Sequence, residues 1–352
     1  SLVLAAATST TTDIKDIYSE KYILLFVKMS NLRWIGESAI RGSLTWQVLV
    51  PAMRRALIAF SQGPDHDQGA VQPLRTAVPV HQQGGTLMVM PGYVPGEGAL
   101  ATKLVSMFPR NAAKGLSTHS AIVMLLNPDT GIPEALLEGG SITELRTAAA
   151  SAVATLELMN DKSQAKGPVI AVLGAGVQGQ AHARVLNHLL KPSKVRIWSR
   201  TMSSCTAVCE ILRGEGIPAE VAATVQDAVV DADIINTCTL AQQPILKMKW
   251  LKASVHINSV GAPRPDMQEL EEELVRSAVI YADSREAAYK EAGDIIKSGA
   301  EVFAEIGELL TGKCEAHKDK ITIFKSLGLA VEDAVAAKIV YNSLEGNSKT
   351  AT

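Results

Sequence analysis

The chain has 352 residues, of which 47% are hydrophobic and 20% are charged, and its formal net charge at pH 7 is −2. This length is sufficient for two domains, and the near-neutral charge excludes the basic surface that nucleic acid or an anionic membrane would require. The four cysteines form no CxxC pair and no Cys/His spacing typical of a metal site. They predict free thiols in a reducing compartment, and therefore a cytoplasmic protein without a bound metal.

The first 28 residues differ in composition from the rest of the chain. They are rich in Ser and Thr, then charged, and apolar only over residues 22–27. This apolar stretch is too short for the core of a signal peptide, and no run in the sequence reaches the length of a membrane span. Because Met29 looks like a natural start, residues 1–28 are predicted to be a disordered N-terminal extension.

The segment that follows predicts one helix and then a series of strands. Apolar residues recur at helical spacing over residues 45–60, and Gly63-Pro64 would end this helix. Strands are predicted at residues 76–80, 86–90, 99–108 and 121–126, separated by turn residues such as Gly84-Gly85, Pro91-Gly92 and Asn127-Pro128-Asp129. This order indicates an antiparallel β unit. An alanine-rich helix over residues 146–159 then leads into the second half of the chain.

A glycine-rich turn follows the apolar run at residues 169–173. It reads Gly174-Ala175-Gly176-Val177-Gln178-Gly179 and leads into a helix, which is the order of a dinucleotide-binding βαβ unit. In that unit Gly174 makes the tight turn, Gly176 lets the backbone approach the pyrophosphate, and Gly179 lets the helix pack on the sheet. The amides of Val177 and Gln178 are then predicted to face the phosphates. A glycine-rich turn without a ligand is the alternative.

The end of the next predicted strand, at residues 195–198, bears on the choice of cofactor. An acid there would bind the ribose 2′-OH of NADH, whereas an arginine suits the 2′-phosphate of NADPH. The segment reads Ser199-Arg200-Thr201, a guanidinium between two hydroxyls. We therefore predict NADPH, with NADH as the weaker possibility. An exposed Arg200 that stacks on adenine is the alternative interpretation.

Further strands alternate with helices, which is typical of a parallel sheet. They are predicted at residues 219–222, 234–237, 255–259 and 279–282. Ligands of such sheets bind beyond the carboxyl ends of the strands. The predicted cofactor contacts in these positions are Thr237, Thr239, Leu240, Val260 and Gly261.

The tail of the chain contains one more helix, predicted over residues 330–343, which we expect to pack on the N-terminal β unit. The predicted fold class is therefore α/β, with a Rossmann dinucleotide-binding domain inserted in a discontinuous α+β domain for substrate binding and dimerisation. The Rossmann domain is predicted at 146–323, and the surrounding domain at 29–145 plus 324–352.

Seven segments of the sequence together resemble the ornithine cyclodeaminase/μ-crystallin family, and the resemblance covers nearly everything after Met29. In chain order they are Gln72-Pro73-Leu74-Arg75-Thr76, Ala101-Thr102-Lys103-Leu104-Val105, Glu144-Leu145-Arg146-Thr147-Ala148-Ala149, the glycine-rich turn, Gly293-Asp294, Ala304-Glu305-Ile306-Gly307-Glu308 and Phe324-Lys325-Ser326-Leu327-Gly328.

The resemblance implies that Arg75, Lys103 and Arg146 hold the carboxylate of the substrate. Three converging cations suit a small α-imino acid, although each alone is more often a surface charge. We expect Arg146 to open a helix, where the helix dipole disfavours a cation unless an anionic ligand is present.

Other pocket positions follow from the same resemblance with less support. Ser326 is a substrate-binding position. Glu291 is a candidate proton relay, or else a solvated helix glutamate. Thr118 and His119 are implied to approach the cofactor, although a core histidine is the alternative reading.

Two departures from the family pattern separate its branches. Cyclodeaminases and related alanine dehydrogenases carry a catalytic Asp where this chain has Pro263, and cyclodeaminases carry a Glu where it has Met88. Because proline accepts no proton, ammonia elimination loses its base, and Asp266 is the one nearby acid that could replace it.

The resemblance therefore favours NADPH-dependent reduction of cyclic ketimines, such as piperideine-2-carboxylate and pyrroline-2-carboxylate, to cyclic amino acids. The alternatives are a thyroid-hormone or small-molecule binding protein, a structural crystallin without turnover, and an ornithine cyclodeaminase or alanine dehydrogenase activity. We expect a homodimer, because family members pair through the outer domain and a small β unit alone would leave exposed edges.

Overall fold

The computed structural model describes residues 32–162 and 167–349, with side chains up to residue 346. The predicted disordered extension at 1–28 lies outside the described residues. Within the described part of the chain, no helix combines the length and the apolar character needed to cross a membrane.

The N-terminal half of the described chain forms a six-stranded sheet, which we call the outer sheet. Its strands in chain order are β1 (Arg33–Ile35), β2 (Thr76–Val80), β3 (Gly85–Val94), β4 (Ala99–Met107), β5 (His119–Leu126) and β6 (Pro133–Glu138). The spatial order is β1-β6-β5-β4-β3-β2. Strands β2 to β5 were predicted and pair antiparallel as expected. Two strands were not predicted: β6, which pairs antiparallel with β5, and β1, which lies parallel to β6.

Strand β3 continues through the predicted turn at Pro91-Gly92 and pairs with β4 along its whole length. The glycine has a packing role here. A Cβ on Gly92 would lie 3.0 Å from the backbone nitrogen of Val331, so glycine lets a helix approach the strand closely. The turn prediction was wrong at this point.

Three helices accompany the outer sheet: α1 (Glu37–Ser43), α2 (Trp46–Gln62) and α3 (Gly139–Leu158). Helix α3 begins earlier than predicted because the carboxylate of Glu138 caps it, accepting from the amides of Gly140 at 2.6 Å and Ser141 at 2.8 Å. Arg146 therefore lies about two turns inside the helix. The expectation that Arg146 opens a helix, where the dipole would disfavour it, was wrong.

The second half forms an eight-stranded, all-parallel sheet, which we call the parallel sheet. Its strands are β7 (Val169–Leu173), β8 (Lys194–Trp198), β9 (Ala219–Val221), β10 (Ile234–Thr237), β11 (His256–Ser259), β12 (Val279–Ala282), β13 (Ala304–Glu305) and β14 (Thr322–Lys325). The order is β13-β12-β14-β11-β10-β7-β8-β9. The helices between the strands are α4 (Val177–Leu190), α5 (Met202–Gly214), α6 (Val225–Val229), α7 (Glu272–Ser277), α8 (Arg285–Glu291), α9 (Gly293–Ser298) and α10 (Ile306–Leu310).

The last helix, α11 (Ala330–Lys349), returns to the first half of the chain and packs against β3, β4 and α2, as expected. The predicted domain boundaries cross two elements. The boundary at 323/324 divides β14, which pairs with β11 and β12 in the parallel sheet, and the boundary at 145/146 divides α3. The two-domain division stays a proposal, and we place the return to the outer domain after Lys325.

Candidate active site

Two cavities meet at the carboxyl end of the parallel sheet. The first, of ≈ 820 Å³, lies beyond the ends of β7, β8 and β10, and the second, of ≈ 870 Å³, lies between the two sheets. Gly176, Cys238 and Leu240 line both, so the cavities form one continuous space. This is the position at which open α/β sheets bind their ligands.

Most of the predicted site residues line this space. The first cavity contains the predicted cofactor residues Gly174, Gly176, Ser199, Arg200, Thr201, Thr239 and Leu240. The second contains Arg75, Lys103, Thr118, His119, Arg146, Val177, Gln178, Val260 and Ser326. The predicted residues outside both linings are Gly179, Thr237, Gly261, Asp266 and Glu291.

The glycine-rich turn has the geometry that a dinucleotide requires. Gly174 has φ +125°, a conformation that L side chains rarely adopt. A Cβ on Gly179 would lie 1.9 Å from the carbonyl oxygen of Gly174, so this glycine permits the close packing of α4 on its strand. At Gly176, by contrast, a Cβ would meet nothing within 4 Å. The amides at the start of α4 therefore face open space that can receive an anionic group.

Arg200 lies in the first cavity with its guanidinium free. Within the described part of the chain it makes neither an ion pair nor a hydrogen bond, whereas the neighbouring Ser199 hydroxyl donates to the carbonyl of Thr201 at 3.0 Å. A guanidinium without a protein partner in a cavity beside β8 can bind a phosphate group.

The three predicted substrate cations lie together in the second cavity, and two of them are almost fully buried. Lys103 is 3% exposed on β4 and Arg146 is 3% exposed on α3. Both contact Asp333 in the first turn of α11: its Oδ2 lies 2.6 Å from the lysine Nζ, and its Oδ1 accepts from the arginine Nε at 3.0 Å. Glu332 accepts from Arg146 Nη1 at 2.6 Å. Burial lowers the pKa of Lys103 to about 8, with nearby Arg146 acting in the same direction.

Arg75 is held by a different set of groups. Its Nε lies 3.1 Å from Glu291 Oε2, and its Nη2 donates to the carbonyl oxygens of Leu327 at 3.1 Å and Gly328 at 3.2 Å. The amides of those two residues donate to buried Asp283 at 2.6 and 2.7 Å. The segment after β14 is thus fixed from both sides, and Arg75 is oriented by it.

Ser326 supplies an unused polar atom in the same cavity. Its amide donates to the carbonyl of Ser259 at 3.0 Å, but its hydroxyl oxygen is buried with no hydrogen-bond partner among the described residues. A buried hydroxyl beside three cations is suited to a polar ligand atom.

The two departures from the family pattern both face this cavity, since Met88 and Pro263 line it. Asp266 does not line this cavity. It lies at the surface, is paired with Arg264 at 3.0 Å, and this pairing lowers the pKa of its carboxyl. Glu291 lies behind Arg75, and burial raises the pKa of its carboxyl.

Three of the described residues that line the second cavity carry a carboxylate, and each is already engaged. Glu138 caps α3, while Glu144 and Glu37 both accept from Arg41, at 2.6 and 2.7 Å. A strong general base therefore does not face the substrate side of the cavity from these positions. His119 lies there with Nδ1 3.0 Å from the Thr118 hydroxyl, and burial lowers the pKa of its ring.

A parallel sheet with a glycine-rich turn after β7, joined to a cleft that carries three cations, defines a dinucleotide-dependent oxidoreductase. The chain belongs to the ornithine cyclodeaminase/mu-crystallin family, whose model matches residues 36–348. The predicted family is thereby confirmed.

Individual relatives agree with this assignment. The chain is 46% identical over 296 residues to the ketimine reductase mu-crystallin of Mus musculus, which covers 84% of this chain and 92% of the mouse protein. The structure of Δ1-pyrroline-2-carboxylate reductase from Thermococcus litoralis, in complex with NADH and L-proline, aligns with a TM-score of 0.83 and 33% identity over 90% of this chain and 98% of that one. An archaeal alanine dehydrogenase dimer with bound NAD aligns with a TM-score of 0.81 and 27% identity over 90% of this chain and 97% of the other. The predicted fold class is confirmed.

Proposed function

We propose that this protein reduces cyclic ketimines such as piperideine-2-carboxylate and pyrroline-2-carboxylate to cyclic amino acids, with NADPH as the hydride donor. The observation that carries the proposal is the cleft itself, in which Arg75, Lys103 and Arg146 lie beside the glycine-rich turn and the described residues of the lining offer no available carboxylate base. Two of the relatives named above support the proposal, since one is named a ketimine reductase and the other a pyrroline-2-carboxylate reductase.

The cofactor fits the groups that the chain presents. The open approach at Gly176 receives the pyrophosphate, and the unpaired Arg200 distinguishes the two nicotinamide cofactors because it can bind a 2′-phosphate. Replacing Arg200 with Ala should raise KM for NADPH about tenfold, the loss of one charge-assisted hydrogen bond. KM for NADH serves as the internal control and should not change. An equal change in KM for NADPH and NADH would contradict the proposed contact between Arg200 and the 2′-phosphate.

The chain itself has a limited part in the reaction. The bound cofactor supplies a hydride to the C=N carbon of the substrate. Arg75, Lys103 and Arg146 neutralise and orient the substrate carboxylate, and such positioning can account for much of a rate enhancement. The ring nitrogen of a cyclic ketimine is readily protonated in water, so the cleft needs no buried acid to form the iminium. Pro263 and Met88, which line the cavity, present no proton acceptor at the two positions where cyclodeaminases carry an acid.

This arrangement distinguishes ketimine reduction from the cyclodeaminase and alanine dehydrogenase reactions. A cyclodeaminase needs a base where Pro263 stands, and Asp266, the only replacement suggested by the sequence, is tied to Arg264 at the surface. Reduction of a preformed cyclic iminium needs no such base. Turnover of pyruvate with ammonia at a rate equal to that of a cyclic ketimine would instead support an alanine dehydrogenase.

The experiment measures the loss of NADPH absorbance with piperideine-2-carboxylate for the wild type, Arg75→Ala and the surface variant Arg264→Ala. We expect Arg75→Ala to lower kcat/KM by about 100-fold, because it removes a charged contact to the substrate carboxylate. Arg264→Ala should match the wild type. NADPH binding without turnover in the wild type would refute the proposal and favour a binding protein, for which thyroid hormone is the ligand to test.

We further propose a homodimer formed through the outer sheet. Leu100, Thr102 and Leu104 on β4 alternate with its buried residues and so lie on the opposite face, half-exposed, and Trp34 on β1 is 59% exposed. The hydroxyl of Thr102 is buried without a hydrogen-bond partner among the described residues. A second copy would cover this apolar face, and one structural relative is described as a dimer. Light scattering on Leu104→Glu should show a monomer; an unchanged mass would contradict the assigned surface.

The proposed compartment is the cytosol. All four cysteines lie in the described part of the chain and are free thiols, namely Cys205, Cys209, Cys238 and Cys314. Free thiols persist in a reducing environment. Localisation of a tagged full-length chain by microscopy would test this assignment.

A further inference from the structure

Glu269 is a buried acid that neither the sequence motifs nor the proposed reaction uses. It lies between β11 and α7, and it is 0% exposed. Charged side chains are rarely buried to this degree unless their surroundings compensate the charge. The contacts of this carboxylate therefore indicate what it does.

One carboxylate oxygen holds the loop after β10. Oε1 accepts from the backbone amide of Thr239 and from its hydroxyl, both at 2.6 Å. The same hydroxyl accepts from the amide of Ala241 at 3.2 Å. Thr239 and Ala241 line the first cavity, so Glu269 fixes a wall of the nucleotide site from behind.

The other carboxylate oxygen faces the turn after β11. A Cβ on Gly261 would lie 2.3 Å from Glu269 Oε2, so the carboxyl occupies the space that a side chain would take. The next residue, Ala262, has φ +50°, a conformation that is strained for alanine and needs support from its surroundings. Lys325 Nζ donates to the carbonyl oxygen of Gly261, and the amide of Gly293 donates to that of Ala262 at 3.1 Å. This turn carries Val260 and Pro263 into the second cavity.

We propose that Glu269 is a positioning residue of the reductase, whose carboxylate ties the Thr239 loop to the Gly261 turn and so holds the two halves of the cofactor groove in register. The proposal rests on the cofactor site assigned above.

The charges around Glu269 make this tie dependent on pH. Asp294 on α9 accepts from the amide of Glu269 at 2.8 Å, and Lys325 on β14 lies 3.8 Å from Asp294. The charge of Glu269 also contributes, after burial, to the raised pKa of the Cys238 thiol, which follows β10. Oε2 has no hydrogen-bond partner among the described residues. Burial raises the pKa of Glu269 to about 7; the hydroxyls of Thr237 and Thr239 and nearby Lys325 act in the opposite direction, and Asp294 adds to the rise.

The direction of the pH effect follows from the acceptor strength of the carboxylate. An ionised carboxylate makes hydrogen bonds roughly twice as strong as those of a neutral acid. As the pH falls through about 7, Glu269 takes up a proton and its hold on Thr239 weakens. Cofactor affinity should therefore fall on the acid side, and KM for the cofactor should change more than kcat.

The experiment measures the dissociation constants of NADPH and NADH by fluorescence, with KM and kcat, between about pH 6.5 and 8.5. In the wild type, NADH should bind about fivefold more weakly at the acid end, because one charge-assisted contact is lost. Glu269→Gln cannot ionise. It should abolish this pH dependence and raise KM for NADPH about tenfold at the alkaline end, with kcat changed less than about threefold.

Matched variants separate positioning from a structural role. Glu269→Asp retains an ionisable group and should restore the pH dependence. Glu271→Gln should behave as wild type, because Glu271 accepts from the amide of Met248 at 3.0 Å and not from Thr239. The melting temperature of each variant reports any general loss of stability.

Several results would overturn the inference. A pH dependence that survives in Glu269→Gln would belong to another group, such as the 2′-phosphate of NADPH. A flat NADH profile in the wild type would refute the pH dependence assigned to Glu269. An unchanged KM for NADPH in a folded Glu269→Gln would refute its positioning role. A wild type that binds neither cofactor would instead refute the proposed function on which the inference rests.

Discussion

Asp333 is the residue whose replacement tests the architecture of the substrate cleft most directly. It is 1% exposed, and its two carboxylate oxygens contact Lys103 at 2.6 Å and Arg146 at 3.0 Å. Asp333→Asn keeps the size of the side chain and removes its charge. Glu332 still pairs with Arg146, but Lys103 loses the carboxylate with which it is paired.

The magnitude follows from the burial of these groups. Removing one partner of a buried ion pair costs about 3 kcal/mol or more, because the other charge stays buried without compensation. We expect a melting temperature lower by roughly 5 °C or more. Asp333 raises the pKa of Lys103, so its loss should move that pKa further below about 8 and leave the lysine largely neutral. With the lysine uncharged and Arg146 less constrained, kcat/KM should fall about 100-fold.

The assay combines thermal unfolding with steady-state kinetics on piperideine-2-carboxylate. Asp161→Asn is the matched control, since Asp161 pairs with Lys318 while its side chain is 76% exposed, and such pairs contribute at most about 1 kcal/mol. The reasoning would be refuted by an Asp333→Asn variant that binds the ketimine more tightly without loss of stability. That result would mean that Asp333 competes with the substrate for the cations.

Two further predictions concern the same cations. Burial lowers the pKa of Lys103 from 10.5 to about 8, so the cleft loses a positive charge as the pH rises through about 8. The inhibition constant of furan-2-carboxylate, which has no titrating ring nitrogen, should therefore rise about tenfold by about pH 9. A constant value over this pH range would contradict the prediction. Gly328→Ala should destabilise the protein by about 2 kcal/mol and raise KM for the ketimine, because Gly328 has φ +82° and its Cβ would lie 2.4 Å from Arg146 Nη1. Gly42→Ala, where a Cβ meets nothing within 4 Å, is its control in thermal unfolding and kinetics.

The nucleotide-binding half was largely predictable because its signals are local. A strand, three glycines and a helix follow one another within residues 169–190, and the structure forms these elements in that order. Strand β14 (Thr322–Lys325) was not predicted as part of this sheet, because it follows a long segment of chain and inserts between β12 and β11. Such insertion depends on long-range pairing, which a local pattern does not contain.

The acids of the substrate cleft were not predicted for a different reason. Glu332 and Asp333 stand in the first turn of α11, where acidic residues are expected from the helix dipole alone. Two adjacent acids at the start of an otherwise apolar segment were the available signal. Similarly, Gly139-Gly140 has the composition of a turn, and only the carboxylate of Glu138 makes it the start of α3. The partners of Glu332 and Asp333, namely Lys103 and Arg146, are distant in the sequence. Glu138 is close in the sequence but is an unusual type of residue for a helix cap.

The position of α11 at the end of the chain has a consequence for synthesis on the ribosome. The strands against which it packs, β3 and β4, leave the ribosome more than two hundred residues earlier. During that interval Lys103 on β4 and Arg146 on α3 lack the counter-charges of Asp333 and Glu332, and the face of the outer sheet that α11 covers stays exposed. The parallel sheet, complete once β14 has emerged, can fold first. A chain that stops short of α11 would therefore lose both the helix that covers the outer sheet and the two acids that pair with the cations of the cleft. Such a truncated chain would be a substrate for quality-control proteases.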